Sequence, residues 1–318
     1  MPTDVPRVSV LIPAYNRAVL LPRAIEGVLR QTLQQFEVVV VDDGSEDDTA
    51  AVVGSFPNPP VRLVRLPVNI GVAGARNAGI SVARAELIAF LDSDDEWRPQ
   101  KLERQVARVD ERGATLVYCR YARHVPAAVR HRPGPAIAQG DVFRALLRGW
   151  DPLPSCVLVR RETLAAAGPF DETLPAFADY EMWLRLAERG TDFVAVDEEL
   201  TVKHEESTGR ISSDPDVLLR GFRGLDRKWG SHIRERAGGG EYRRWRARLL
   251  ASIAYVRIQR SMAGGDRAAA WKHCVGMLRL APWSKQYPVF GIGMAVLGLR
   301  GYRAIARLRD ALGRARYR

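Results

Sequence analysis

The sequence predicts an α/β protein with a mostly parallel sheet flanked by helices, followed by a helical C-terminal extension. Two observations predict the sheet: short runs of continuously apolar residues, and helical segments that alternate with these runs. Strands that are apolar on both faces are typical of parallel sheets covered on both sides. After about residue 210 only helical patterns remain, which predicts the extension.

The first half of the chain contains four predicted strands and the helices between them. The strands are short apolar runs at residues 8–12, 36–41, 61–66 and 87–91. The helices carry apolar or small residues at helical spacing, at residues 20–31, 48–56, 73–83 and 99–112. Ligands bind at the carboxyl ends of the strands in such sheets, so residues after each strand are the site candidates.

The second half alternates less regularly. Strands are predicted at 115–118 and 157–160, helices at 161–167 and 180–189, and a mobile loop at 124–139. Four more helices are predicted at 217–229, 242–262, 267–280 and 302–312. We therefore expect a domain of residues 1–210, with halves 1–112 and 113–210, and a basic helical region of residues 211–318.

Charge is distributed unevenly along the 318 residues. The formal net charge is +11, but residues 220–318 hold 23 Lys and Arg against 5 Asp and Glu, so the remainder is acidic. A basic segment attracts phosphate groups of nucleic acids, lipids or phosphorylated substrates. A solvated helical surface would have the same composition. No nucleic-acid-binding module accompanies the charge, so we do not expect nucleic acid as a partner.

Other patterns favour a cytoplasmic protein. The apolar runs are shorter than the about 18 residues of a membrane-spanning helix, and the N-terminus lacks the pattern of a secretory signal. The cysteines, Cys119, Cys156 and Cys274, are odd in number and lack metal-ligand spacing. Such cysteines fit a reducing compartment.

Polar clusters follow three of the predicted strands. In chain order they are Pro13-Ala14-Tyr15-Asn16-Arg17, Asp42-Asp43-Gly44-Ser45 and Asp92-Ser93-Asp94-Asp95. Either acidic cluster alone could be a turn or a helix cap. Two such clusters at one edge of a sheet repel each other, and a divalent metal held with diphosphate oxygens would offset the repulsion. The pattern therefore predicts a metal and diphosphate site.

Residues 69–79 combine glycines and alanines with one arginine, Arg76. A helix that begins in this segment offers backbone donors to a phosphate, and Arg76 could pair with the same group. The glycines do not form the dinucleotide pattern G-x-G-x-x-G, and they could equally serve close packing of the helix. Arg76 is therefore the stronger candidate for a diphosphate ligand.

Four segments together resemble the family 2 glycosyltransferases. They are VSVLIPAYNR, VVVDDGSEDDT, NIGVAGARNAGI and LIAFLDSDDEW, in this order over about residues 7–111. The resemblance implies the GT-A fold with its Rossmann-like sheet, transfer with inversion at the anomeric centre, and a nucleotide-diphosphate sugar as donor. It also implies Mn²⁺ or Mg²⁺ as the cofactor.

The resemblance further implies roles for residues at the matching positions. Those expected to contact the base, ribose or diphosphate of the donor are Pro13, Tyr15, Asp42, Asp43, Arg76, Asp92 and Ser93. Asp94 would be the principal metal ligand, with Asp92 approaching both the ribose and the metal. His204 resembles a late histidine that reaches the metal or the diphosphate.

The second half is expected to supply the catalytic base. Asp179 matches the family's general base, which deprotonates the acceptor hydroxyl as it attacks the sugar. Ala178 stands where the family commonly has Glu. Asp179 could instead cap a helix that begins at Tyr180, and the two roles are compatible.

We therefore expect an inverting glycosyltransferase that acts on a cell-surface polysaccharide or lipid-linked glycan precursor. The processive members' Q-x-x-R-W motif is absent, which favours a single transfer. The basic region would hold the enzyme at the inner face of an anionic membrane, or form a homodimer interface, or cover the sheet. One alternative is a non-catalytic nucleotide-sugar-binding scaffold. Another is a sugar nucleotidyltransferase, but that class needs a glycine-rich loop directly after the first strand, and residues 13–17 do not have one.

Overall fold

The strands form one nine-stranded sheet in the computed structural model, which describes residues 5–125, 128–130, 141–204 and 213–280. The strands are β1 (Val8–Ala14), β2 (Phe36–Asp42), β3 (Val61–Arg65), β4 (Leu87–Phe90), β5 (Asp95–Trp97), β6 (Leu116–Val125), β7 (Ala128–Arg130), β8 (Val157–Arg160) and β9 (Phe193–His204). Their order is β3-β2-β1-β4-β8-β6-β9-β5, and β7 pairs with β6 beside this path.

The first four strands pair in parallel. β1 lies between β2 and β4 and is parallel to both, and β3 is parallel to β2. Every residue of β1, β2 and β4 is buried, as expected for strands covered on both faces. The accompanying helices are α1 (Leu21–Leu29), α2 (Thr49–Gly54), α3 (Gly71–Val82) and α4 (Lys101–Arg112). The predicted α/β class is confirmed.

The other side of the sheet is mixed. β8 is antiparallel to β4 and β6, whereas β9 is parallel to β6 and antiparallel to the short strand β5. The helices of this part are α5 (Val142–Leu147), α6 (Arg161–Ala167) and α7 (Ala178–Glu188). Because β5 follows β4 after four residues and pairs with β9, it brings the end of β9 next to the acidic segment 92–95.

One face of the sheet is covered by α1 and α4. Leu21 and Ile25 of α1, and Leu102 of α4, are fully buried with the β1 side chains Val8 and Val10. Burial of side chains of this size contributes about 1.5–3 kcal/mol each to folding, measured against the exposed side chain. This packing fixes the edge of the sheet where β1, β2 and β4 end.

Some predicted boundaries are wrong. The strand predicted at 115–118 continues to Val125, and β7 pairs with its end, so both occupy part of the predicted loop 124–139. Residues 126–127 and 131–140 of that loop lie outside the described residues. The sequence did not predict β9, where the acidic residues at 197–199 interrupt the apolar pattern.

The helical prediction for the C-terminal region is confirmed as far as residue 280. The helices are α8 (Pro215–Ala237), α9 (Gly239–Ala263) and α10 (Arg267–Leu280). The Asp214 carboxylate accepts hydrogen bonds from the N–H groups of Asp216 and Val217 at the start of α8. The helix predicted at 302–312 lies outside the described residues. Among the helices that the structure describes, none combines the length and the apolar composition of a membrane-spanning segment.

The described residues fall into two compact units. One unit contains the sheet with its flanking helices. The other contains α8, α9 and α10, together with two short pieces at residues 147–149 and 175–177.

Candidate active site

The acidic segment that follows β4 is held in place by Ser155. The Asp92 N–H donates to Ser155 Oγ at 3.0 Å, and the Ser155 hydroxyl donates to Asp95 Oδ2 at 2.6 Å. The Asp95 N–H closes the turn by donating to the Asp92 carbonyl at 3.0 Å. A single buried hydroxyl therefore fixes both ends of this four-residue turn.

Asp95 is the inward-facing member of the segment and is only 2% exposed. Burial and the negative charges of Asp92 and Asp94 raise the pKa of Asp95 to about 7. Its Oδ1 atom has no hydrogen-bond partner among the described residues. The segment thus carries more negative charge than its protein surroundings offset.

Asp92 lies at the centre of the electrostatic network. Burial raises the pKa of Asp92, and so do the charges of Asp94 and Asp179, whereas Arg76 and Lys203 lower it; the net shift is upward. Arg76 Nη2 donates to Asp92 Oδ1 at 2.9 Å. The network shows that Asp179, from another part of the chain, lies within electrostatic range of the segment after β4.

Arg76 is almost fully buried on α3, with 4% of its side chain exposed. Its guanidinium lies 5.6 Å from the centroid of the Phe170 ring, and its Nε atom has no hydrogen-bond partner among the described residues. The side chain is therefore held rigidly, with one nitrogen on Asp92 and another still able to donate.

Asp94 and Ser93 complete the turn. Asp94 is partly exposed and Ser93 is buried. The Asp94 carbonyl accepts a hydrogen bond from Arg23 Nη2 at 3.0 Å, so α1 helps to fix the backbone at this position. The partly exposed residues of the turn are thus Asp92 and Asp94, two of the three predicted metal ligands.

Asp179 lies in the first turn of α7, and Phe177 before it has a positive φ of 67°. A positive φ in a bulky residue is a strained conformation that turns the chain sharply. The helix begins at Ala178, so the predicted start at Tyr180 is wrong. Asp179 Oδ1 accepts the Tyr180 N–H at 2.8 Å, which leaves Oδ2 for other contacts.

The acidic pair after β2 has protein partners. Asp43 accepts the N–H groups of Ile70 and Gly71 at 2.8 and 2.9 Å, at the start of α3. Asp42 accepts the Ser45 N–H at 3.0 Å and forms an ion pair with Arg65 at 3.4 Å. Burial raises the pKa of Asp43, the two backbone hydrogen bonds lower it and the charge of Asp42 raises it, for a net upward shift.

The end of β1 lies beside this pair. Pro13 is buried within the strand, whereas Tyr15, just after it, is 41% exposed. Asn16 has a positive φ of 52° and donates its N–H to Ser45 Oγ at 2.9 Å. The loops after β1 and β2 are therefore joined, with the Tyr15 side chain exposed at their edge.

His204 lies at the end of β9. Its Nε2 atom is 3.2 Å from Glu96 Oε2, and its ring centroid is 4.7 Å from that of His124. Burial and the charge of Arg23 lower the pKa of His204, against the opposing effect of Glu96. The shift favours the neutral imidazole, which is the form that binds metals. The structure places His204 beside Glu96 and His124.

The carboxylates of the turn after β4 are donors of the kind that a divalent metal requires. Within the described ranges, no three His, Cys, Asp or Glu side chains are grouped so that they could hold a metal by themselves. Mg²⁺ in phosphate-binding sites is held by one or two carboxylates together with substrate phosphates and water. Asp92 and Asp94 fit that requirement, because their mutual repulsion would be relieved by a cation.

Three residues of the site were not predicted: Arg23, Ser155 and Lys203. Ser155 is about 60 residues from the turn that it fixes, and Lys203 is placed opposite Asp95 by the unpredicted strand β9. Arg23 does not belong to any of the sequence motifs from which the site was predicted. Lys203 could have been found only by predicting both β9 and the short strand β5 that pairs with it, and the sequence predicted neither.

Comparisons with known proteins agree with this architecture. The family model described as "Glycosyl transferase family 2" matches residues 9–163. The chain is 51% identical over 112 residues to the succinoglycan biosynthesis protein ExoO of Rhizobium meliloti, a match that covers 35% of this chain and 32% of the relative.

A second relative has a more specific name. The Escherichia coli UDP-Glc:alpha-D-GlcNAc-diphosphoundecaprenol beta-1,3-glucosyltransferase WfgD is 37% identical over 114 residues, or 36% of this chain and 45% of that protein. The chain thus spans about a third of the length of one relative and less than half of the other.

The fold is similar to that of solved structures. The mannosyltransferase PcManGT from Pyrobaculum calidifontis, in complex with GDP-Man and Mn²⁺, superimposes with a TM-score of 0.60 at 23% identity. The match covers 97% of this chain and 89% of that one.

Proposed function

Because the chain belongs to glycosyl transferase family 2, we propose that it is an inverting glycosyltransferase that moves a sugar from a nucleotide-diphosphate donor to an acceptor hydroxyl. The observation that carries the proposal is the charged turn after β4, where Arg76 pairs with Asp92 at 2.9 Å and where burial and the charges of Asp94 and Asp179 raise the pKa of Asp92. A carboxylate in the first turn of α7 and the acidic segment after β4 therefore lie in one site. An inverting transferase requires this arrangement, with a catalytic base on one side of the sugar and a diphosphate-binding group on the other.

Asp179 is the general base. Its carboxylate takes the proton of the acceptor hydroxyl while the oxygen attacks the anomeric carbon and the nucleoside diphosphate departs from the opposite face. A base positioned in this way accelerates the reaction by about 10²–10⁴-fold. The partial exposure of Asp179 supports the role, because an acceptor must reach it from solvent.

Asp94 and Asp92 would hold a divalent cation, Mn²⁺ or Mg²⁺, together with water and diphosphate oxygens. His204, which lies against Glu96 and His124 and is not grouped with these two carboxylates, would reach the diphosphate rather than the metal. When bound, the cation would offset the charge of the departing diphosphate. Arg76 binds the diphosphate through its remaining donors, and its ion pair with Asp92 holds it at the metal-binding turn. A planar guanidinium can donate two hydrogen bonds to the oxygens of one phosphate.

The base and ribose of the donor are bound at the ends of β1, β2 and β4. Tyr15 offers an exposed ring for stacking, Asp42 and Ser93 offer hydrogen-bonding groups, and Pro13 shapes the strand end. Asp43 supports this surface by fixing the start of α3.

The acceptor is a cell-surface polysaccharide or a lipid-linked glycan precursor. The names of the relatives, which refer to succinoglycan biosynthesis and to a diphosphoundecaprenol-linked sugar, support this class. The basic region from residue 211 would then hold the enzyme at the inner face of the membrane, in the cytoplasm. A homodimer through the same region is the alternative arrangement.

Flotation with anionic and neutral vesicles tests the membrane contact. The full chain is expected to float with anionic vesicles at low salt and to be released at high salt. Absence of binding at low salt would contradict the membrane contact without affecting the transferase proposal.

A panel of nucleotide sugars tests the function itself. A donor that binds the folded state is expected to raise the melting temperature in the presence of Mn²⁺, and the same donor is then tested for transfer and hydrolysis. If wild type and Asp179→Asn bind the donor but are equally inert, the chain is a non-catalytic nucleotide-sugar-binding scaffold.

A further inference from the structure

A cavity of about 540 Å³ lies between α8 and α9 in the helical unit. Its charged lining consists of the arginines Arg223, Arg227, Arg234 and Arg246 and the carboxylate Asp226. Four cations against one anion give the cavity a strong positive potential, and its volume exceeds that of a phosphate group. The function proposed for the sheet unit does not use these residues.

The one carboxylate of the cavity is already engaged. Asp226 Oδ1 accepts the Tyr242 hydroxyl at 2.9 Å, and Asp226 Oδ2 forms an ion pair with Arg246 Nε at 3.1 Å. Arg223 and Arg227 are exposed, and neither forms an ion pair with a carboxylate in the part of the chain that the structure describes. The positive charge at the mouth of the cavity is therefore available to a ligand.

Aromatic rings hold two of the guanidinium groups in place. Arg234 Cζ lies 4.1 Å from the centroid of Tyr242, and Arg246 Cζ lies 5.6 Å from the same ring and 5.9 Å from that of Phe222. Both rings are largely buried. At 4.1 Å the Tyr242 ring restrains the Arg234 guanidinium while its N–H groups remain able to donate to a phosphate, whereas Arg246 is held by Asp226 as well as by the rings.

Gly230 allows the two helices to approach closely at the floor of the cavity. A Cβ atom there would lie 3.1 Å from Asp226 Oδ1 and 3.3 Å from the Tyr242 hydroxyl oxygen. Glycine within a long helix lowers helix stability relative to alanine. The cavity thus has a rigid floor formed by Gly230, Asp226 and Tyr242.

We propose that this cavity is a binding site for a phosphate or diphosphate group. Arg223 and Arg227 bind the phosphate oxygens directly, and the stacked Arg234 and Arg246 form the wall behind them. The group could belong to a soluble phosphate ester or to a lipid headgroup, since both present the same oxygens. The proposal does not depend on the transferase activity, because every residue of the cavity belongs to the helical unit.

The test is a calorimetric titration of the full chain with inorganic diphosphate, without divalent cations and in the Asp94→Asn background. These conditions remove the metal-dependent binding expected at the acidic segment. The variant Arg223→Ala/Arg227→Ala is compared with Arg220→Ala/Arg243→Ala, which removes the same charge from exposed positions of α8 and α9 that do not line the cavity. Cavity binding predicts affinity at least about tenfold weaker in the first variant and within about twofold of the parent in the second.

Vesicles with and without phosphatidic acid form the second arm. Binding of vesicles but not of diphosphate, with the same dependence on Arg223 and Arg227, would assign the site to a lipid headgroup and support the proposal. Binding of neither probe would overturn the proposal. Equal weakening in both charge variants would also overturn it, because affinity would then follow net charge alone.

The variant Asp226→Asn tests the cavity from the opposite direction. The amide keeps an acceptor for the Tyr242 hydroxyl but removes the negative charge, so diphosphate is expected to bind several-fold more tightly. Unchanged or weaker binding in a variant with a normal melting temperature would contradict a site that selects its ligand by charge.

Discussion

The two acidic clusters follow β2 and β4, the strands on either side of β1, but their carboxylates differ in what they contact. After β2, Asp43 binds two N–H groups of α3 and Asp42 binds Ser45 and Arg65. After β4, Asp92 pairs with Arg76 and Asp95 accepts the Ser155 hydroxyl, but burial and the charges of neighbouring aspartates still raise the pKa of both carboxyl groups.

This difference separates carboxylates that stabilise the fold from carboxylates that are available to a ligand. A buried carboxylate that receives backbone hydrogen bonds is satisfied by the chain, so a cation has little to add. A group of repelling carboxylates destabilises the protein until a cation arrives. The first cluster is therefore expected to affect mainly stability, with Asp42 Oδ2 still able to accept a hydrogen bond from the donor, and the second cluster to affect metal binding and catalysis.

The largest effect is expected from Asp179, which joins the second cluster from α7. Asp179→Asn keeps the acceptor for the Tyr180 N–H but removes the base, so kcat should fall by about 10²–10⁴-fold. Glu188→Gln, at the other end of α7, is the matched control and should keep nearly full activity. Transfer is measured with the donor found in the panel, and a loss of less than threefold in Asp179→Asn would contradict the assigned base.

The second-largest effect on activity is expected from Asp94→Asn. Loss of the principal metal ligand removes charge stabilisation of the departing diphosphate. We expect kcat/KM to fall by about a hundredfold. Raising the Mn²⁺ concentration should restore part of the activity, since the remaining ligands bind the ion weakly. Activity that is independent of Mn²⁺ in both proteins would show that Asp94 has another role.

Glu37 on β2 is a fully paired carboxylate and sharpens the comparison. Burial raises its pKa, but hydrogen bonds from Ser9 and Arg84 and the charge of Arg62 bring it below the usual value of 4.5. Its stabilising contribution is therefore present above that value and lost as the pH falls. Glu37→Gln should lower the free energy of unfolding by about 2 kcal/mol at pH 7.

Urea unfolding at several pH values measures this contribution. The difference between wild type and Glu37→Gln should shrink as the pH falls below about 4.5. A difference that stays constant down to pH 3 would mean that the charge of Glu37 contributes nothing.

The smallest effect is expected at Asp43. Asp43→Asn leaves one N–H at the start of α3 without its acceptor, so the free energy of unfolding should fall by about 1 kcal/mol. The same isosteric change at Asp94 removes a repelling charge and should leave the metal-free protein equally or more stable. Equal losses at both positions in urea unfolding would remove the distinction between the clusters.

Much of the fold could be predicted because β1, β2 and β4 are predominantly apolar and their helices are regular. β9 could not be predicted, since its acidic residues at 197–199 obscure the strand pattern, and without β9 the position of Lys203 was unknown. The role of Asp43 at the start of α3 and the Ser155 hydrogen bonds join residues about 30 and 60 positions apart. Such contacts depend on tertiary packing, which sequence spacing does not encode.

Direct titration of Mn²⁺ tests the central distinction between the clusters. Electron paramagnetic resonance follows the free ion, and the titration is done with saturating nucleoside diphosphate on wild type, Asp94→Asn and Asp43→Asn. We predict one bound Mn²⁺ in wild type and in Asp43→Asn, and affinity at least about tenfold weaker in Asp94→Asn. The distinction between the clusters would be contradicted if Asp94→Asn bound Mn²⁺ with wild-type affinity. It would also be contradicted if a folded Asp43→Asn no longer bound Mn²⁺.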